Sequence, residues 1–498
     1  MGGSWPLAED DKEASEEPKP GQPEVEEKSV DKQDRGVFGG REVGYTATAA
    51  TISVGTSDDR RAAFFYVSYT EDGADPAERP VVFAFNGGPG SSTVWLHLGL
   101  LGPKRVELDP DGFAIRTPGR LIDNEHSVLD VADVVLVDAI GTGFSTASPR
   151  DKEGDYHHFS RDIDAFTEFI VTYLNRHGRW ASPKYLAGES YGTTRGAAIA
   201  HQMFHKEGVE LNGVILISVA INFQTIATEK GTGVFHPGND LPFPLHLPTY
   251  TATAWYHGQL DEEHQARPLR EVLDEAEEFA IGEYATALLQ GDRIAPADRD
   301  RVLDRLQVLT GLDRGYLDVY DLRIHIMRFC KELLRAERRT VGRLDTRYKG
   351  VDRFPDGDVL ENDPSGDQMM GQFTSALNEL LRNELGYENE SFYKSLSMEV
   401  NESWDYEEFK NRYVNTSESL RDLLARSPRT RVFVANGYYD LATPHFATEH
   451  TFNHLGLDAT VRDNVRVEYY EAGHMMYVHR PSLEALAGHL REFITGPE

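Results

Sequence analysis

Pro183-Lys184-Tyr185-Leu186-Ala187-Gly188-Glu189-Ser190-Tyr191-Gly192 is the stretch whose reading decides the fold. Residues 183–187 read as a short buried strand, and the G-x-S-x-G pentapeptide that follows directly is the pattern of a sharp strand-to-helix turn carrying a serine. A serine hydroxyl is a poor nucleophile at neutral pH. It becomes useful when a tight turn lifts it clear of the sheet and a neighbouring base takes its proton. Glycines at 188 and 192 relieve the crowding that such a turn imposes.

Working outward, apolar runs at 81–85, 134–137, 185–187 and 214–219 alternate with helical or loop segments. That alternation predicts a mostly parallel α/β sheet. A β-rich pair at 45–54 and 62–69 precedes it. From 223 to about 426 charged helical patterns dominate, as at 269–289 and 369–385, and β-branched runs return at 431–435 and 465–470 before a C-terminal helix over 482–494. The expected organisation is a disordered acidic tail over 1–36, a first part of the α/β core over 37–222, a helical insertion over 223–427 and the rest of the core over 428–498.

Composition narrows the function classes. The 498 residues carry 51 Lys and Arg against 82 Asp and Glu, a net charge of −31, which opposes binding to nucleic acid or to an anionic membrane. One cysteine, Cys330, excludes an intramolecular disulfide framework, and its helix-like surroundings predict a buried small side chain. No segment has the length and apolarity of a membrane span. The N-terminus lacks a basic start followed by an apolar core, so a cytoplasmic location is favoured over export. His445, Glu449 and His450 miss the zincin spacings, and neither a metal nor another cofactor is expected. Nothing in the sequence specifies an oligomeric state.

Covalent catalysis by serine needs a histidine to take the proton and a carboxylate to orient it. Asp440 follows the strand-like run 432–435 through Asn436-Gly437-Tyr438-Tyr439, and His474 follows 465–470 through Glu471-Ala472-Gly473. Serine, acid and histidine thus each sit after a strand, in the order Ser190, Asp440, His474. Asn86-Gly87-Gly88-Pro89-Gly90-Ser91-Ser92 follows the run 81–85, where glycines let backbone N–H groups approach an oxyanion. A phosphate-binding loop is the competing reading, but the segment lacks both the Gly-Lys-Ser/Thr ending and the Rossmann glycine spacing.

The chain resembles the serine carboxypeptidase-like peptidases, especially members without disulfides such as bacterial ones. The resemblance is carried by Phe85-Asn86-Gly87-Gly88-Pro89-Gly90-Ser91-Ser92, Val137-Asp138-Ala139-Ile140-Gly141-Thr142-Gly143-Phe144-Ser145, Gly188-Glu189-Ser190-Tyr191-Gly192, Asp440 and Gly473-His474-Met475. It implies an α/β-hydrolase fold with a large helical cap. It also implies an acyl-enzyme on Ser190 with His474 as base and Asp440 orienting it, and oxyanion donors at Gly88 and Tyr191. Asn86, Gly87 and Glu189 would contact a peptide substrate with a free C-terminus. In the family Glu189 shares a proton with a second glutamate; here Leu100 occupies that place, so the choice between a strict carboxypeptidase and a broader hydrolase turns on Glu189. Ala84, Ala139 and Ser91 also depart from the family pattern. Arg195 and His97 lie near these blocks, and structural roles are expected for both. An esterase or acyltransferase using the same triad is the alternative, while the intact triad argues against a non-catalytic binding protein.

Overall fold

The parallel strands at the middle of the sheet are apolar on both faces because both faces are covered. In the computed structural model, which describes residues 27–57, 60–148, 150–226 and 238–496, the principal strands are β1 (Ser29–Phe38), β2 (Arg41–Ser57), β3 (Arg60–Glu71), β4 (Val81–Phe85), β5 (Asp133–Val137), β6 (Lys184–Ser190), β7 (Gly213–Val219), β8 (Arg431–Gly437) and β9 (Val465–Tyr470). They lie in the order β1-β2-β3-β5-β4-β6-β7-β8-β9, with Thr146–Ser148 paired to β3. Pairing is antiparallel from β1 to β5 and parallel from β5 onward. This is the α/β-hydrolase arrangement, and it brings the C-terminal ends of β4, β6, β7, β8 and β9 to one edge.

Side chains along the central strands divide by period two up to the bulge near the end of β7. Val82, Ala84, Tyr185, Ala187, Ile215, Ile217, Phe433 and Ala435 enter one core. Val81, Phe83, Phe85, Leu186, Val214, Leu216, Val432 and Val434 enter the other, where helices α1 (Phe159–Arg176) and α2 (Tyr191–Gln202) cover them.

Between β7 and β8 the chain is largely helical, with a short hairpin of Thr340–Val341 and Lys349–Gly350. Part of this stretch, including α3 (Pro242–Tyr256), has its own apolar core, in which Cys330 is buried. Further along, α4 (Pro364–Glu379) packs Met369, Phe373 and Leu377 on the first face of the sheet, and α5 (Ser417–Arg426) packs Leu420, Leu423 and Leu424 on the second. Helix α6 (Arg480–Thr495) completes the first face. The inserted residues are therefore partly structural members of the α/β core. Among the described residues no helix is long and apolar enough to cross a membrane.

The acidic tail expected over 1–36 needs correction. Residues 29–36 lie in β1, paired with β2 from Ser29 opposite Ala50 to Phe38 opposite Arg41. Most of their side chains are exposed, so the strand is held by its backbone ladder, which hydrophobic patterning does not reveal. Positions 1–26 lie outside the described residues.

Candidate active site

The turn between β6 and α2 holds Ser190 at φ 59° and ψ −127°, a sparsely populated conformation for a residue with a side chain. The flanking glycines are dictated by contact. A Cβ on Gly188 would lie 2.1 Å from the Gly192 carbonyl oxygen, and one on Gly192 2.7 Å from that of Phe85. The Asn86 loop lies directly against this turn, since a Cβ on Gly87 would fall 2.4 Å from the Tyr191 nitrogen. Gly88, next in this loop, has φ +102°.

Asp440 and His474 meet as the order along the chain predicts. His474 Nδ1 lies 2.7 Å from Asp440 Oδ2. The carboxylate is fully buried and fixed by the Ala442 and Thr443 N–H groups at 2.7 and 3.0 Å, with the Thr443 hydroxyl donating at 2.6 Å. Burial alone would raise the Asp440 pKa, but His474 and the Thr443 donors outweigh it and hold the carboxyl below its ordinary range. His474 shows the converse: burial pushes it down, while Asp440 and then Glu189 bring it net above the usual value. Ser218 ties this pair to the turn. Its hydroxyl donates to the His474 carbonyl at 2.6 Å, and the next residue, Val219, is in register with Ser190.

Glu189 is buried, with Asn86 Nδ2 donating to Oε1 at 2.9 Å. Asn86 also braces its own loop, accepting the Leu96 N–H at 3.1 Å. The other carboxylate oxygen accepts the Tyr477 hydroxyl at 2.7 Å. Burial lifts the Glu189 pKa to about 7 against the lowering effects of His474, Tyr477 and Asn86.

Tyr477 is the partner that the sequence reading missed. It comes three residues after His474, in the short turn Met476–Val478, and its ring needs the bare face of Gly99, where a Cβ would lie 2.3 Å from a ring carbon. Leu100, next to Gly99, is buried in the apolar core. A phenol thus stands beside Glu189 where a second carboxyl was absent. Only the unbranched Gly99 hints at this in sequence, and it does so without naming the residue that fills the space.

The remaining candidates are structural. Arg195 donates to Asp162 at 2.7 Å and to the Asn86 carbonyl at 2.7 Å, fully buried. It pairs with neither Glu189 nor open space. His97 accepts or donates a 2.7 Å bond with the Tyr69 hydroxyl, and burial drives its pKa down to about 3. Asp138 accepts the Thr93 N–H and the Tyr393 hydroxyl, each at 2.8 Å, bracing the loop after β4. His445 contacts Thr249 and Glu277, whereas Glu449 accepts from the Tyr469 hydroxyl.

The family model for serine carboxypeptidases matches residues 42–486. Among curated proteins the chain is similar to serine carboxypeptidase-like 8 of Arabidopsis thaliana, 32% identical over 141 residues, or 28% of this chain and 31% of that protein. It is also similar to the pheromone-processing carboxypeptidase KEX1 of Saccharomyces cerevisiae, 31% identical over 136 residues, or 26% of this chain and 17% of that one. The matches thus span about a third or less of these relatives' own length. The crystal structure of yeast KEX1 shares the fold, with TM-score 0.53 and 15% identity over 91% of both chains.

Proposed function

Because the chain belongs to the serine carboxypeptidase family, we propose that it is a serine peptidase releasing C-terminal residues from peptides through an acyl-enzyme. The observation that carries this reading is the strained Ser190 turn held beside the bonded Asp440–His474 pair. In the proposed cycle His474 takes the Ser190 proton as Oγ attacks the scissile carbonyl. The Gly88 and Tyr191 N–H groups receive the developing oxyanion. As the C–N bond breaks, His474 returns the proton to the leaving amine, and water then cleaves the acyl ester by the same steps in reverse.

Glu189 supplies the preference for a free C-terminus. Ionised, it would repel a substrate carboxylate; protonated, it donates a hydrogen bond to one. A pKa near 7 keeps that proton available at and below neutrality. Asn86 offers its amide on the same side, and Gly87 keeps the loop close.

The test compares the parent protein with Ser190→Ala on blocked dipeptides carrying free or amidated C-termini. Turnover that disappears with Ser190 and favours the free acid supports the reading. Equal turnover by both proteins refutes the nucleophile, and equal use of both substrates refutes the preference for a free C-terminus.

A further inference from the structure

The tip of the Thr340–Val341/Lys349–Gly350 hairpin is woven into the loops that carry Asp440 and His474. The Arg343 carbonyl accepts the N–H of Leu441 at 3.0 Å, and the Leu344 carbonyl accepts that of His474 at 2.7 Å. Thr346 donates its N–H to the Tyr439 carbonyl at 2.9 Å, and Asp345 accepts the Gly473 N–H at 3.2 Å. Four residues of inserted chain, 343–346, thus touch the loops of both Asp440 and His474, through bonds that do not depend on the identity of the side chain at 343.

That side chain differs from four arginines of the core that hold buried carboxylates. Arg79 and Arg179 share Asp133, Arg195 holds Asp162, and Arg347 holds Asp345. Arg343 is half-buried, and its guanidinium has no hydrogen bond or ion pair among the described residues. Its charge reaches His474 and the buried His246 of α3, lowering the proton affinity of each. A partly desolvated cation without a counterion is costly to keep, and guanidinium geometry is suited to bidentate pairing with a carboxylate.

We propose that Arg343 is a substrate-binding residue that receives a carboxylate of the peptide. This rests on the peptidase reading of the site and deepens it. The carboxylate comes either from the peptide's C-terminus or from an acidic side chain flanking the scissile bond, and the chemistry of recognition is the same.

The experiment measures kcat/KM of the full chain on three matched pairs of blocked dipeptides: free against amidated C-terminus, Glu against Gln in the leaving residue, and Glu against Gln in the acyl residue. Arg343→Met is expected to lower the acid-to-neutral ratio of one pair by about 10- to 100-fold, mainly through KM, and Arg343→Lys to retain only part of it, because the ammonium keeps the charge but not the bidentate fork. The pair that changes identifies the source of the carboxylate. Arg343→Gln serves if the Met variant does not fold. Unchanged ratios in all three pairs overturn the proposal. Fluorophosphonate labelling of Ser190 separates this outcome from failure of the catalytic reading, since an unlabelled parent protein would count against the triad and not against Arg343.

Discussion

Tyr477→Phe removes one hydroxyl and leaves the ring in its slot against Gly99. The lost bond is the 2.7 Å contact to Glu189 Oε2, made inside the protein to a group that is charged at alkaline pH. A hydrogen bond to a charged acceptor contributes roughly 1.5–3 kcal/mol. At 1.36 kcal/mol per pKa unit, its loss should raise the Glu189 pKa by about 1–2 units from its value near 7. The direction follows because the phenol favours the carboxylate form, so removing it favours the protonated form. The assay is the pH profile of kcat/KM, which reports the free enzyme, on a blocked dipeptide with a free C-terminus and on its amide. In the parent protein, activity on the acid should fall about tenfold per pH unit above 7, while the amide lacks this limb. In Tyr477→Phe the limb for the acid should move to about pH 8–9. A limb that stays in place in a folded variant refutes the assignment of Glu189, held by Tyr477, as the proton donor to the substrate carboxylate.

Three further outcomes follow from the same geometry. Asp440→Asn should keep the fold but lower kcat about 10⁴-fold, because an amide that donates to His474 Nδ1 holds the wrong tautomer; steady-state kinetics beside circular dichroism checks this. Gly99→Ala puts a methyl group 2.3 Å from the Tyr477 ring, so it should cost about 1–3 kcal/mol in urea unfolding and move the alkaline limb as Tyr477→Phe does. Glu189→Gln should flatten the pH dependence of stability. With a folded pKa of about 7 against 4.5 unfolded, folding takes up a proton between those values. The stabilisation is complete below pH 4.5 and lost as pH rises through 7, a difference of roughly 3 kcal/mol that the variant should lack.

The core strands, the Ser190 turn and the Asp440–His474 pair were legible because each leaves a local trace. Buried parallel strands are continuous apolar runs, the turn at Ser190 needs glycines at fixed offsets, and the Ser190, Asp440, His474 order follows the strand order. β1 left no such trace, since a ladder of backbone bonds under exposed Asp, Lys and Gln side chains resembles a charged tail. Helices α4 and α5 read as part of an insertion, yet their apolar faces close the two cores of the sheet. Sequence periodicity marks an apolar face without naming its partner. The contacts of Arg343 and Tyr477 are of the same kind, fixed by which loops converge and not by any local pattern.

The exchange at Leu100 is better understood as a change in the kind of proton donor than as the loss of a recognition group. Two carboxyls sharing a proton repel when both ionise, so such a pair holds one proton strongly and gives it up over a range set by their mutual repulsion. Glu189 with Tyr477 has only one group that titrates near neutrality, because burial and the adjacent carboxylate push the phenol pKa well above its ordinary value. The phenol therefore always donates, and it lowers the Glu189 pKa where a second carboxylate would raise it. Burial provides the opposing push, and the balance leaves Glu189 near 7. Free-acid cleavage should accordingly be limited at low pH by protonation of His474 and at high pH by ionisation of Glu189, whereas cleavage of amides should be limited by His474 alone. The charge of Arg343 acts on the low-pH limit, since it opposes the larger effect by which Asp440 raises the proton affinity of His474.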